Sequence, residues 1–239
     1  MAAKSSLLRF WLLALTVLFA DNAHAADEDP LQDFCVANNV TIHNSDANTL
    51  GLTINGRTCK PADQVTAADF ASQLLRNSAV QKPTGTTRAT VTLASVANFP
   101  GLNTLGLSIA RIDFPANGGL NPPHVHPRAT EVLFLAQGTL TVGFVSTAPN
   151  NTLFQATLYP GDLFVFPRGL PHFQINLDRR NPALAIAALN SQNPGVSQLA
   201  VALLATNPPL PGIVLQETLG IDQEEVDKLS ASVQKAAAT

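Results

Sequence analysis

Four side chains in two short segments of the sequence have the types and spacing of a metal site. His124 and His126 are separated by one residue, so on a β-strand both imidazoles would lie on one face and could bind one ion together. His172 stands in a second segment, PHFQIN, and Glu131 opens an otherwise apolar run, EVLFLA. A carboxylate in such a run is costly to bury unless it is paired or bound to a metal. Three imidazoles and one carboxylate suit a divalent transition metal and, in octahedral coordination, leave two positions open for chemistry.

The position of Glu131 requires a break in the strand that carries the histidines. Glu131 is five residues beyond His126, an odd separation that would place its side chain on the opposite face of an unbroken strand. Pro127 lies between them and indicates an edge or a bulge, because proline cannot donate to a strand ladder. We expect a kink there that returns Glu131 to the side of the histidines. An isolated His-x-His pair is more often structural than metal-binding, and imidazole accepts iron, zinc, nickel and copper, so the residue types leave the metal open.

The segments from residue 90 to residue 189 predict the body that must position these side chains. Short apolar runs rich in Val, Ile, Leu, Phe and Thr alternate there with turn clusters, which is typical of β-strands. The runs are VTLASV, LGLSIARIDF, EVLFLAQG, TLTVGFV, TLFQATL, DLFVFP, HFQINL and ALAIAAL. Roughly eight short strands with no intervening helical period predict an all-β sandwich or barrel.

The composition excludes several classes of protein. Hydrophobic residues make up 46% of the 239 residues, which is enough for one packed core and excludes a disordered, collagen-like or coiled-coil chain. Charged residues make up 13% and the formal net charge is −3, which argues against a nucleic-acid partner.

Residues 1–25 have the pattern of a secretory signal peptide. Lys4 and Arg9 precede the uncharged run 10–20, and the small-x-small cleavage sequence AHA follows. The apolar run is too short to cross a bilayer, which needs roughly 20 residues in a helix. We therefore predict cleavage near Ala25 and a secreted protein without a membrane span.

A secreted chain with two cysteines is expected to join them. Cys35 and Cys59 are the two cysteines of the sequence. The extracellular space is oxidising, so we predict a disulfide between them. This bond would tie an N-terminal arm, residues 26–62, to the main domain, residues 63–213.

Two Asn-x-Ser/Thr sequences, at Asn39 and Asn150, lie among turn-forming residues. In a secreted protein such a sequence is the acceptor for N-glycosylation. Asn39 and Asn150 are therefore candidate glycosylation sites.

Two capping patterns predict helices outside the strands. Thr66 and Asp69 have the spacing of a capping box, which predicts a short helix of about ten residues before the first strand. In the C-terminal segment 214–239 a similar pattern precedes an apolar stripe, which predicts an amphipathic helix over 223–236.

The spacing of the candidate ligands and of nearby glycines resembles the two cupin motifs. The matching residues are Gly118, His124, His126, Glu131 and Gly138 in the first motif and Gly161, Pro167, Gly169, His172 and Asn176 in the second. The segments GGLNPPHVHPRATE and GDLFVFPRGLPHFQIN further resemble plant germins and germin-like proteins, as do LQDFCVA, NGRTCK, ARIDF and NSQNPG. The resemblance therefore spans nearly the whole chain after the predicted signal peptide.

The resemblance implies a single-domain cupin (jelly-roll) β-barrel that is secreted to the plant apoplast or cell wall. It implies one manganese ion per subunit, with His124, His126, Glu131 and His172 as ligands. It also implies a homohexamer, a trimer of dimers, in which the C-terminal helices make subunit contacts. Asn121 matches the position of a substrate-side asparagine near the metal.

The family resemblance implies more than one activity. Germins oxidise oxalate to carbon dioxide and hydrogen peroxide, many germin-like proteins dismutate superoxide, and others have no assigned activity. Germins carry a second asparagine that contacts oxalate, and Ala110 stands at that position here. The stretch between Phe114 and Asn121 is also one residue longer, with Asn117 extra before a glycine; Asn-Gly is the favoured pair of a type I′ hairpin turn.

These departures set our prediction for the activity. Alanine cannot donate a hydrogen bond to a carboxylate, so we predict weak or no oxalate oxidase activity. We predict superoxide dismutase activity that produces hydrogen peroxide in defence or development. The alternatives are a non-enzymatic binding or structural protein of the cell wall with a retained metal site, and an oxalate oxidase.

Overall fold

The computed structural model describes residues 33–38, 56–76 and 88–238. Within these ranges, ten β-strands form two antiparallel sheets. The strands are β1 (Thr90–Ala94), β2 (Ser108–Phe114), β3 (Gly119–Val125), β4 (Glu131–Gln137), β5 (Leu140–Val145), β6 (Leu153–Leu158), β7 (Leu163–Phe166), β8 (His172–Asn176), β9 (Ala183–Leu189) and β10 (Ser197–Gln198). One sheet has the order β1-β2-β9-β4-β7 and the other β10-β3-β8-β5-β6. The all-β architecture predicted from the apolar runs is confirmed.

The core lies between the two sheets. Along β2 and β9, every second side chain is buried, as expected for strands with one face on a core. Leu133 and Leu135 of β4 and Leu140 and Val142 of β5 are fully buried in one apolar cluster. Burying a side chain of this size contributes about 1.5–3 kcal/mol relative to leaving it in water, so this cluster stabilises the walls that carry the site.

Strand β3, like the two-residue strand β10, lies outside the apolar runs that predicted the other eight strands. It contains Pro122 and Pro123, and its pairing with β8 shifts register between Asn121 and His124. Proline cannot donate to a strand ladder, so these two residues lie at the irregularity. The strand resumes its pairing at His124, opposite His172.

The turn between β2 and β3 differs from the predicted hairpin. Asn117 and Gly118 both have positive φ, 60° and 93°, as a type I′ turn requires. However, β2 and β3 belong to different sheets, so this turn is an inter-sheet connection. The Asn117 and Gly118 amides donate to the carbonyls of Asp178 (2.7 Å) and Asn176 (2.9 Å), which ties the turn to the end of β8.

The predicted disulfide between Cys35 and Cys59 is present. Asn103, which is fully buried, binds this part of the arm to the main domain. Its Nδ2 donates to the Arg57 carbonyl (2.8 Å) and to Cys35 Sγ (3.2 Å), and its Oδ1 accepts from the Arg57 amide (2.8 Å). Both cysteines lie within residues 26–62, so the disulfide closes a loop inside the arm and does not itself join the arm to the main domain, which corrects the expectation from the sequence. The buried carboxamide of Asn103 binds this closed loop to the main domain.

The helix predicted at Thr66 is shorter than about ten residues. The capping box of Thr66 and Asp69 is present, but it begins a four-residue 3-10 helix, Ala67–Phe70. The helix ends there because Ala71 is extended (φ −116°, ψ 137°). Two further 3-10 helices span Ala62–Gln64 and Pro100–Leu102.

Three α-helices follow the last strand: α1 (Leu199–Leu204), α2 (Gly212–Leu219) and α3 (Gln223–Ala237). Helix α3 confirms the helix predicted over 223–236, and Asp222 caps it by accepting a hydrogen bond from the Glu225 amide (2.9 Å). Among the described residues, no helix combines the length and apolar character needed to cross a membrane.

Of the remaining sequence predictions, one concerns a described residue and the others do not. The predicted signal peptide, residues 1–25, and Asn39 lie outside the described residues. Asn150 lies in the exposed turn between β5 and β6, where a glycan acceptor would be accessible.

Candidate metal centre

The four candidate ligands are brought together from three strands. His124 of β3 and His172, the first residue of β8, face each other across a pair of hydrogen-bonded strands, with ring centroids 4.1 Å apart. His126 follows the last residue of β3, and Glu131 is the first residue of β4 in the opposite sheet. The predicted kink is confirmed, because the chain turns at Pro127 after the end of β3 and continues at Glu131 as strand β4 of the other sheet.

The ligand atoms converge on one small volume. One nitrogen or oxygen atom from each of the four side chains lies within 4.8 Å of the others, and all four residues are buried. The Nε2 atoms of His126 and His172 are 2.9 Å and 3.6 Å from Glu131 Oε2. Metal–ligand bonds of about 2.0–2.2 Å place ligand atoms at such separations around one ion. The cluster could therefore hold a metal.

Each imidazole is oriented by a main-chain carbonyl. Nδ1 of His124 donates to Pro122 (2.9 Å), Nδ1 of His172 to Leu170 (2.9 Å) and Nδ1 of His126 to Gly195 (2.6 Å). Because a carbonyl oxygen can only accept, each Nδ1 carries a proton, and Nε2 is the ring nitrogen left to face the centre of the cluster. This arrangement is typical of metal-binding histidines.

The electrostatics of the site keep His124 and Glu131 in the forms that bind a metal. Burial, together with the neighbouring His172, lowers the pKa of His124 from 6.5 to about 4, so that imidazole is neutral at physiological pH. Burial acts to raise the pKa of Glu131, but the hydrogen bond from His126 and the nearby His172 outweigh it and lower the pKa to about 2. A neutral imidazole and an ionised carboxylate both present lone pairs to a cation.

The donor set fits a divalent metal. His172 Nε2 is buried and finds no hydrogen-bond partner among the described residues. A buried polar nitrogen without a partner is costly, and a metal ion at the centre of the cluster would satisfy it. His126, whose pKa is raised because the hydrogen bonds to Glu131 and Gly195 outweigh the effect of burial, shares its Nε2 proton with Glu131, and an ion would take the place of that proton.

Two side chains next to the ligands were missed by the sequence interpretation. Gln174, which is fully buried, donates from Nε2 to Glu131 Oε1 (3.5 Å) and accepts at Oε1 from Asn121 Nδ2 (2.8 Å). The ring of Phe166 stacks on His172, with centroids 4.5 Å apart and planes inclined by 22°. The signal for Gln174 was its position two residues after His172, which puts both side chains on one face of β8.

Comparison with known proteins agrees with this geometry. The model of the cupin family matches residues 76–227. Germin-like protein subfamily 2 member 4 of Arabidopsis thaliana is 46% identical over 222 residues, which cover 93% of each chain. Germin-like protein 8-2 of Oryza sativa subsp. japonica is 45% identical over 232 residues, covering 96% of this chain and 99% of the relative. This chain belongs to the germin-like proteins of the cupin family.

A solved structure of a related enzyme resembles this germin-like protein closely. Recombinant oxalate oxidase in complex with glycolate is 38% identical and superposes with a TM-score of 0.76, covering 88% of this chain and all of that chain. The oxalate-specific expectations therefore concern two positions in this fold. Asn121 is buried on β3 opposite Gln174, at the edge of the ligand cluster. Ala110 is 4% exposed on β2 and belongs to the apolar core cluster.

Proposed function

We propose that this germin-like protein is a secreted manganese superoxide dismutase of the plant apoplast that produces hydrogen peroxide in defence or development. The observation that carries the proposal is the convergence of three Nε2 atoms and one carboxylate in a buried cluster, with each Nδ1 hydrogen-bonded to a carbonyl. His124, His126, Glu131 and His172 would hold one ion per subunit. Four protein ligands in octahedral coordination leave two positions for a small anion or water.

The chemistry divides between the ion and the chain. When bound, manganese supplies one-electron redox chemistry and Lewis acidity. The overall reaction converts two superoxide ions and two protons into dioxygen and hydrogen peroxide. The chain keeps the three imidazoles in the tautomer that presents Nε2, and it keeps the Glu131 carboxylate ionised. Asn121 uses one amide hydrogen to bind Gln174, which leaves the other for an anion at the site.

The environment of the site suits a small substrate. All four ligands are buried and Phe166 stacks on His172, so water is displaced from one side of the site. Superoxide is a diatomic anion, so it needs neither the second amide contact that a dicarboxylate such as oxalate would use nor a wide entrance to the site. Ala110 presents only a methyl group on its inward face. These features favour dismutation over the oxidation of a dicarboxylate.

Oxalate oxidation is the second candidate activity, and the similarity to oxalate oxidase in complex with glycolate favours it. Asn121 lies where a substrate carboxylate could be contacted. Against it stands Ala110, since no amide at this position could donate to oxalate. The alternative to an enzyme is a binding or structural protein of the cell wall that keeps the metal site for stability.

The same proposal includes the processing, domain organisation and assembly of the chain. We propose that residues 1–25 are a signal peptide, that 26–62 form an N-terminal arm with the disulfide, that 63–213 form the cupin domain and that 214–239 make oligomer contacts. The disulfide supports an oxidising compartment. Exposed apolar side chains on β4 and β7, such as Phe134, Leu163 and Val165, support a homohexamer in which they are covered. Asn39 and Asn150 are the proposed glycan sites.

A paired assay on one sample tests this proposal. The full chain is secreted from a plant or yeast host, its manganese content is measured, and superoxide dismutation and oxalate-dependent peroxide release are both recorded. We expect dismutation above that of free manganese and little or no oxalate turnover, with boiled and chelated samples inactive. Oxalate-dependent peroxide as the main product would favour the oxidase, and no activity from a manganese-loaded protein would favour the non-enzymatic role.

A further inference from the structure

His126 differs from the other two histidines in what orients it. His124 and His172 donate to carbonyls two residues earlier in their own segments. His126 has left β3 and donates to Gly195, which is 69 residues away in the sequence. Its orientation therefore depends on the position of a distant loop, the segment 190–196 between β9 and β10.

This loop is attached to the ligand-bearing segment at both ends. At its start, Asn190 Oδ1 accepts from the Thr130 amide (2.7 Å), and the Asn190 amide donates back to the Thr130 carbonyl (3.2 Å). At its end, Ser197 of β10 pairs with Val125 of β3. The loop thus spans the segment between His126 and Glu131.

Arg128 binds the middle of the loop. Its Nε donates to the Asn193 carbonyl (2.6 Å), its Nη2 to Asn193 Oδ1 (3.2 Å), and its amide to the Pro194 carbonyl (3.2 Å). The side chain is exposed. Two donors from one planar guanidinium fix the direction of the loop in a way that a single flexible ammonium could not.

Gly195 is the residue that joins Arg128 to His126. It adopts a positive φ of 69°, and a Cβ at this position would lie 2.7 Å from Arg128 Nη2. The guanidinium therefore covers the α-carbon of the residue whose carbonyl accepts from His126. Arg128, Asn193 and Gly195 form what we call the clasp.

We propose that the clasp positions the His126 imidazole, and that Arg128 thereby controls how fast the centre releases its metal. The inference rests on the proposed metal site. Arg128 is a positioning residue, because it acts through Gly195 and does not touch the ligand cluster directly. Removing a group that orients a metal-binding histidine commonly costs a factor of 10–100 in metal affinity.

Metal release is the measurement that tests the clasp. The full-length secreted protein is freed of metal and loaded with Co²⁺ or Mn²⁺. It is then mixed with excess EDTA, and the rate of metal release is compared between the wild type and Arg128→Met. We expect release about 10-fold faster in the variant. Arg179→Met is the matched control, since Arg179 is exposed in the β8–β9 turn, and it should release metal at the wild-type rate.

The visible absorption of the Co²⁺ form separates positioning from general stability. Reorientation of His126 should shift the Co²⁺ bands of Arg128→Met. If the role of Arg128 is purely structural, the substitution will lower the melting temperature of the metal-free protein and leave the Co²⁺ bands unchanged, which would overturn the proposal. Gly195→Ala, which forces a Cβ into the guanidinium, should shift the bands in the same way if Arg128→Met fails to fold.

Arg128→Lys distinguishes geometry from charge. Lysine keeps the positive charge but lacks the planar pair of donors that Arg128 presents to Asn193, so we expect fast release as in Arg128→Met. Wild-type release from Arg128→Lys would overturn the clasp. If the wild type binds Co²⁺ and all variants release it at the wild-type rate, the clasp is wrong and the metal site stands. If the wild type binds neither ion, both are wrong.

Discussion

At the scale of single residues, the site combines ligands that the sequence identifies with supports that it does not. The histidines and Glu131 stand out because their chemistry and spacing are recognisable, and the structure brings them together. Gln174 does not stand out, because an amide between apolar residues has no motif of its own. Its role follows from contacts: it links Asn121 to Glu131 across the two sheets.

We predict that Gln174→Leu weakens manganese binding by about 10-fold, as expected for the loss of a group that orients a ligand. The substitution leaves the Asn121 amide without its acceptor and removes a donor from Glu131. Competition with a chelator measures the affinity. Gln155→Leu, on the exposed edge strand β6, is the control; equal affinities in the two variants would refute the role of Gln174.

The identity of residue 110 carries the prediction about oxalate. Ala110→Asn places an amide on the inner face of β2, and we expect it to raise oxalate-dependent peroxide release. Crowding should lower stability by about 1–3 kcal/mol. Ala185→Asn, at a fully buried position of β9, tests whether any buried amide has this effect. No gain in Ala110→Asn would show that the missing asparagine is not what limits oxalate turnover.

At the scale of elements, the apolar runs and the C-terminal capping pattern predicted structure correctly, whereas the capping pattern at Thr66 gave only a four-residue 3-10 helix. Every apolar run became a strand, and the capping pattern before residue 223 became helix α3. The His-x-His spacing placed the histidines on a strand, but no apolar run marked strand β3, and the prolines Pro122 and Pro123 argue against a continuous one. Only the pairing with β8 shows that the strand extends to both sides of them. The Asn117-Gly118 turn had the predicted conformation, but only the tertiary fold determines that it connects two sheets.

The attachment of the arm gives a prediction for stability. Asn103→Leu removes three hydrogen bonds and leaves both backbone groups of Arg57 without this partner, so we expect a loss of about 1–3 kcal/mol. For a domain of this size that corresponds to a fall in melting temperature of about 2–4 °C per kcal/mol. If Asn103 does not hold the arm on the main domain, Asn103→Leu will melt like the wild type.

The turn between β8 and β9 gives a prediction about pH. The amides of Arg180 and Asn181, together with Asn181 Nδ2, donate to Asp178 and lower its pKa below the ordinary value of 3.8. The carboxylate therefore contributes stability above its unfolded pKa, and this contribution is lost as pH falls through the lower folded value. Denaturant unfolding should show Asp178→Ala less stable than wild type at pH 6, with the difference shrinking toward pH 3. A difference that stays constant with pH would contradict this role.

At the scale of the whole molecule, a metal ion bound by the four ligands would couple the two sheets. Three ligands lie on or beside the sheet of β3 and β8, and Glu131 belongs to the sheet of β4. An ion bound only by the folded protein stabilises it by mass action, by about 2.7 kcal/mol at a free concentration of 100 Kd. Chelation should therefore lower the melting temperature, and added manganese should raise it until the site is full. A melting temperature indifferent to both would mean that no metal bridges the sheets.

The central claim is that His124, His126, Glu131 and His172 hold one manganese ion per chain. The most direct measurement is the metal content of the protein purified from a secreting plant or yeast host, counted per chain by elemental mass spectrometry for the wild type and for Glu131→Gln. The account predicts close to one manganese ion in the wild type and a large loss in the variant, which lacks the carboxylate. A folded wild type without a stoichiometric divalent metal, or a variant that retains it fully, would contradict the account.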